Sequence, residues 1–227
     1  VSLLGGLSPI TLVGMSGVGK SWWTARLAAV GFRHHDCDAA IAARLGDLVR
    51  PEPGEAPVRA LGRWMGMPWS DGYAEREARY LALEAEVTAA ALDRALHHEA
   101  PPSTDDSAQE VRRRVVGDVI DTTGSVIHLD PTLLARLRAC TRIVHLRTPP
   151  SDQERMLALY LSEPKPVVWA GVYAPAPGEP AEAALARCYP RLLAERTARY
   201  EALAHVTLDA REVAGLDVGE LLARIRG

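Results

Sequence analysis

Little in this sequence points to a zinc site, a membrane or nucleic acid. Its 227 residues include three cysteines, Cys37, Cys140 and Cys188, set far apart with no CxxC pair and no Cys/His ligand spacing. Neither a zinc site nor a disulfide framework is indicated, and a reducing cytoplasm is the default expectation. No stretch approaches the roughly 20 apolar residues that cross a bilayer, and no basic segment followed by a long apolar one opens the chain, so no membrane contact is expected. Charge of one sign is also lacking. The formal net charge is −3, and the one basic run, Arg112-Arg113-Arg114, follows the acidic Asp105, Asp106 and Glu110. A solvated surface accounts for that run better than a nucleic-acid footprint does. Internal repeats are absent. What remains, with 48% hydrophobic residues, is the composition of one ordinary globular domain with a core.

The order of elements is legible from pattern. Ile10-Thr11-Leu12-Val13 is an apolar, β-branched run of strand length, and residues 19–30 read as a helix. A short strand at 32–35 and a helix at 38–45 follow, and then Pro51, Pro53, Gly54 and Pro57 enforce a loop. Residues 74–96, rich in Ala, Leu, Glu and Arg, are the longest helical candidate. The polar stretch 97–110, with Pro101-Pro102, reads as an exposed excursion. Strands at 115–120, 143–146 and 205–208 then alternate with helices at 131–139, 151–161, 181–204 and 218–225. Five prolines break the stretch 164–180. Alternating β and α elements predict a parallel sheet covered on both faces.

The strongest chemical signal lies directly after the first strand. "GMSGVGKS", residues 14–21, has the GxxxxGKS spacing of a phosphate-binding loop in its strand-to-helix context. Glycines let backbone N–H groups converge on phosphate oxygens, which assigns Gly14, Ser16, Gly17, Val18 and Gly19 to a nucleotide; Lys20 neutralises the β- and γ-phosphates, and the Ser21 hydroxyl suits Mg²⁺. An amphipathic helix buries one of the pair Trp22-Trp23, so core packing competes with nucleotide contact there, and Trp22 is the candidate for the contact. A guanine-reading NKxD is missing, as is a second catalytic domain. Further on, "HHDCDAAI" places Asp36 and Asp38 at the end of the second strand, on the side where ligands bind in open α/β sheets. Two readings stand. The aspartates cap the next helix, or they divide a reaction, one positioning Mg²⁺ and its water and the other deprotonating an acceptor hydroxyl.

At these residues the sequence resembles the shikimate kinases. "LVGMSGVGKS" matches their phosphate loop, and "FRHHDCDAAIAARLG" is similar to their second strand and DxD motif. "IVHLRTPPSDQERMLALYLSEPKPVV" is similar to their fourth strand, helix and start of the lid, and "RTARYEALAHVTLDA" to their substrate-binding Arg, Tyr and last strand. The resemblance implies a single P-loop kinase domain over 1–227, with a doubly wound, five-stranded parallel sheet in a three-layer α/β sandwich. It implies substrate-binding helices and an insertion at 46–112, a lid at 162–183, ATP and Mg²⁺ as cofactors, and a monomer or weak dimer. By position, Asp38 activates the acceptor hydroxyl, Asp36 helps hold Mg²⁺, and Arg196 grips a substrate carboxylate.

The departures bear on the acceptor. Where the family carries a glycine triplet this chain reads "VIDTTGSVIH", leaving Gly124 between Thr123 and Ser125 as the expected substrate contact with Ser125. Asp121 ends the same strand and is placed to act as a second Mg²⁺ partner. Arg76 and Arg79 are the candidates for a helix-borne carboxylate clamp, or else form a solvated face paired with Glu75 or Glu77. Lys165 stands where the family usually has an arginine, a point charge without the bidentate fork; Arg187 can share that role. "LGRWMGMPWSDGY", residues 61–73, reads as a Gly- and Pro-broken segment whose aromatics form either an acceptor wall or a satellite core. "KPVVWAGVYAPAPGEP" has the composition of a mobile lid, with Trp169 and Tyr173 available to fold over a ligand. The expected activity is transfer of the γ-phosphate of ATP to a hydroxyl of a small anionic metabolite, shikimate or a similar hydroxy acid or cyclitol, from the catalytic set Lys20, Asp36, Asp38 and Lys165. The alternatives are a non-catalytic nucleotide-binding protein and a nucleoside or nucleotide kinase.

Overall fold

Strand β1 (Ile10–Val13) is wholly buried, and its alternation sets up the two layers of the core. The computed structural model describes residues 8–97 and 115–226; the basic run at 112–114 and, from residue 98 on, the polar excursion lie outside them. Around β1 the chain lays down β2 (Phe32–Asp36), β3 (Gly117–Asp121), β4 (Arg142–Arg147) and β5 (Val206–Asp209). All neighbouring strands are parallel, in the order β2-β3-β1-β4-β5. Register decides what meets at the functional end: Leu12 lies opposite Asp121, and Asp121 opposite Asp36. The loop after β1 therefore leaves the sheet beside two carboxylates.

Helices cover both faces: α1 (Lys20–Ala29), α2 (Cys37–Leu45), α3 (Pro57–Met65), α4 (Tyr73–His97), α5 (Pro131–Cys140), α6 (Gln153–Ser162), α7 (Ala181–Leu203), α8 (Ala210–Val213) and α9 (Val218–Arg226). Ile10 and Leu12 of β1, with Val119, Val144 and Leu208, pack against Trp23 and Leu27 of α1 and Leu221 and Ile225 of α9. Val13, Ile120 and Ile143 face the other way, toward Ile41, Leu61, Tyr80, Leu92, Leu137 and Tyr200 from α2, α3, α4, α5 and α7. None of the described helices is long and apolar enough to cross a membrane.

Helix α3 corrects the sequence reading of a broken loop at 61–73. Pro57 sits in the first turn of α3, where its missing N–H costs nothing and its fixed φ favours the helix. The helix runs to Met65 before the chain turns into α4. Met65 and Tyr73 are core residues, with Trp64 and Met67 packed on them; exposed Trp69 lies 5.9 Å from the Tyr173 ring.

Candidate active site

Between β1 and α1 the loop turns through three glycines with positive φ, Gly14, Gly17 and Gly19. At Gly14 the need for glycine is steric as well: a Cβ there would lie 2.6 Å from the carbonyl oxygen of Leu146, so any side chain would lift the loop off β4. Lys20, the first residue of α1, is buried and folds back over the loop. Its Nζ donates to the carbonyls of Gly14 and Met15 at 3.0 and 3.3 Å. Burial lowers its pKa below that of an ordinary lysine, while Asp121 and Asp38 pull the other way.

The loop opens on a cavity of about 370 Å³. Ser16, Gly17, Gly19, Lys20, Ser21 and Trp22 form one side. Asp36, Asp38 and Ala39 form the second, and Ala56, Pro57 and Val58 at the head of α3 an apolar third. Gly124, Lys165 and Pro166 complete it. The chain has only two lysines, and both line this cavity. Trp22 is 46% exposed at the rim, whereas Trp23 is buried; the Arg26 guanidinium lies over both rings, at 4.6 and 5.3 Å.

Each carboxylate has its own environment. Asp36 caps α2, accepting the Ala39 N–H at 2.9 Å, and still lines the cavity; capping and site membership are compatible because a carboxylate has two acceptor oxygens. Asp38, in the first turn of α2, accepts the Tyr80 hydroxyl of α4 at 3.0 Å. Burial pushes its carboxyl up to about 6, against the downward pull of Lys20 and with a further push from Asp121 and Asp36. At neutral pH it is ionised and close enough to its pKa to take a proton. Asp121 sits off the cavity wall against the start of α1, with the Thr24 hydroxyl at 3.3 Å and His34 Nε2 at 3.8 Å. Burial would raise its pKa, but the bonds from His34 and Ser21 and the charge of Lys20 take it below the ordinary carboxylate value.

Among the described residues no cluster of three or more His, Cys, Asp or Glu is placed to hold a metal unaided. Mg²⁺ bound to a nucleotide does not need one, since it keeps its waters and takes phosphate oxygens with one or two protein ligands. The Ser21 hydroxyl with ionised Asp121 beside it and Asp36 opposite is a donor set of that kind.

No protein-family model matches the sequence, and no curated protein does. Solved structures do. The shikimate kinase from Acinetobacter baumannii, in complex with shikimate, superposes with a TM-score of 0.56 over 96% of this chain and 94% of its own, at 20% identity. The enzyme from Aquifex aeolicus gives 0.56 over 96% of both chains at 16% identity, and that from Bacteroides thetaiotaomicron 0.53 over 96% and 94% at 16%. This chain has the shikimate kinase fold. At these identities the likeness is one of fold, and the site has to be judged on its own residues.

Within the shikimate kinase fold, several expected contacts lie elsewhere. Arg76 does not reach the cavity: its guanidinium holds the carbonyls of Met65 and Asp71, each at 2.9 Å, and so pins the turn between α3 and α4. Arg79 is exposed on α4, away from the cavity wall. Arg196 is 2% exposed and sits behind Gly124, donating to its carbonyl at 3.1 Å and to that of Val168. Ser125 is turned inward, its hydroxyl donating to Glu84 at 2.5 Å. Gly14 and Val18 do not line the cavity either; Val18 donates its N–H to Met15 and packs on the α1 face of the sheet. Arg187 is tied to Glu179 at 2.7 Å and to the Ala174 carbonyl at 2.8 Å, which leaves Lys165 as the cation on that wall.

In the segment 162–183 the apolar residues face the protein. Val167, Val168, Trp169 and Val172 are buried, and the Trp169 ring packs among Tyr160, Tyr173 and Tyr189 rather than over a ligand. Glu77 accepts the backbone N–H groups of Trp169 and Ala170 at 2.5 and 3.2 Å, and the Tyr73 hydroxyl reaches the Val167 carbonyl at 2.6 Å. This segment is docked by its own apolar residues. Sequence reasoning passed over Tyr80 and Glu84, which lie under the cavity floor. The signal was present: Tyr73, Glu77, Tyr80 and Glu84 recur every three or four residues, one face of a helix, and Glu84 and Tyr80 are completely or almost completely buried.

Proposed function

We propose that this protein is an ATP-dependent small-molecule kinase that transfers the γ-phosphoryl group to an acceptor hydroxyl. The observation that carries the reading is that Asp38 opens on the same cavity as the phosphate loop, Lys20 and Ser21. The backbone N–H groups of the loop and Lys20 hold the phosphates, in a site where positioning and electrostatics supply most of the catalysis. Ser21, Asp121 and Asp36 would hold Mg²⁺, which when bound offsets charge on the β- and γ-phosphates. Asp38 orients the acceptor hydroxyl and takes its proton as the new P–O bond forms and the bond to ADP breaks. Lys165, on the opposite wall, neutralises the group in transit. Lys165 and Pro166 of segment 162–183 form part of the wall, and closure of that wall over the substrates would keep out water, which competes for the same phosphorus.

The test is acceptor-dependent ADP release. Asp38→Asn should lower kcat by roughly 10²- to 10⁴-fold, the usual contribution of a positioned base, with ATP affinity changed no more than a few fold. Full turnover by that variant would remove Asp38 from the reaction, and MgATP binding without stimulation by any acceptor would indicate a nucleotide-binding protein without transferase activity.

A further inference from the structure

We infer that the acceptor is an uncharged polyol rather than a carboxylic acid, an inference that rests on the kinase reading above. A carboxylate is held best by a guanidinium free to present its two parallel N–H groups, and among the described residues no arginine lines the cavity. The nearest ones are committed. Arg76 and Arg196 hold two backbone carbonyls each. Arg59, next to Val58 on the apolar wall, is ion-paired with Glu163, and Arg63 with Glu55. The two cations that do face the cavity, Lys20 and Lys165, flank the phosphate loop, where a triphosphate uses both charges.

The acceptor side is acidic instead. Asp38 lines it, with Asp36 two residues before it on the same wall. Behind Gly124 lie both the Arg196 guanidinium and Glu84, the latter with zero exposure and accepting the hydroxyls of Thr123 and Ser125, so that neither is on the wall itself. A carboxylate-bearing acceptor would place its charge against Asp38, and among the described residues no arginine on the cavity wall offers it a bidentate partner. Hydroxyls find partners: Asp38 and Ser16 are on the wall, and Ala56, Pro57 and Val58 offer an apolar surface to a carbon skeleton. The transfer itself is unchanged: the hydroxyl oxygen bonds to phosphorus, ADP leaves with its oxygen, and the proton passes to Asp38.

The experiment is ADP release by the whole chain with MgATP and matched acceptors: glucose against gluconate, and neutral cyclitols against shikimate and quinate. Binding to the MgADP complex is measured for each compound by calorimetry. The expected result is that a neutral polyol is used with kcat/KM at least tenfold above its carboxylated counterpart, and that the carboxylates bind no more tightly than millimolar. Preference for a carboxylate, in turnover or in binding, would overturn the inference and leave the kinase reading intact. If no compound is phosphorylated and none binds, the kinase reading fails and the inference falls with it.

Discussion

Tyr80 fixes the carboxylate on which the proposed reaction depends. Its ring is 1% exposed and its hydroxyl donates to Asp38 at 3.0 Å. Tyr80→Phe keeps the packing and removes the donor. A hydrogen bond to a charged group is worth about 1.5–3 kcal/mol, so kcat should fall roughly tenfold or more with the KM for ATP unchanged, as read by steady-state kinetics. Equal kcat would reduce Tyr80 to packing. Four residues on, Glu84 makes a separate prediction through stability. Burial pushes its carboxyl up to about 7, although Ser125 and Thr123 pull it down. Between the unfolded value of 4.5 and about 7, unfolding lets this group release its proton, so the folded state binds more protons and Glu84 lowers stability as pH rises. Glu84→Gln removes that penalty. The melting temperature of the variant relative to the parent should climb from pH 5 to pH 8, by the equivalent of about 3 kcal/mol; a difference independent of pH would show that Glu84 is ionised in the fold.

At the scale of elements, α3 and the segment 162–183 meet without a gap. A Cβ at Gly62 would lie 2.1 Å from the Pro164 carbonyl oxygen and 2.9 Å from Lys165 Cα. Glycine inside a helix ordinarily costs stability, and this close backbone approach is why it is present. Gly62→Ala should part the two elements. An overpacking cost of about 1–3 kcal/mol corresponds to a drop of roughly 2–12 °C in melting temperature for a chain of this size. Lys165 would move with the segment, so turnover should fall too, and limited proteolysis should cut within 162–183. Gly215→Ala is the control: nothing lies within 4 Å of a Cβ there, so stability should hold. An unchanged melting temperature in Gly62→Ala would mean that the segment yields without cost.

For the whole molecule, nucleotide binding and folding are linked. A ligand that binds the folded state alone adds about 2.7 kcal/mol at 100 times its Kd, so MgADP at that level should raise the melting temperature by roughly 5–11 °C. Lys20→Ala should abolish most of the shift at the same concentration, as followed by differential scanning fluorimetry; an undiminished shift would place the phosphates elsewhere. The strand, glycine loop and helix were legible because their signals are local. A β-branched run, a glycine spacing and a Lys-Ser pair act through backbone sterics over fewer than a dozen residues. Alternation of α and β elements implied the parallel sheet for the same reason. The acceptor side was not legible, because its decisive contacts join distant parts of the chain. Arg196 meets Gly124 and Val168, Tyr80 meets Asp38, and Glu84 meets Thr123 and Ser125. Nothing in the sequence around Arg76 or Arg196 tells whether a guanidinium faces a ligand or a carbonyl. The sequence by itself determined where a phosphate can be held; the tertiary structure alone decided which charged groups face the acceptor, since burial and long-range hydrogen bonds turn some of them away and leave others open to the cavity.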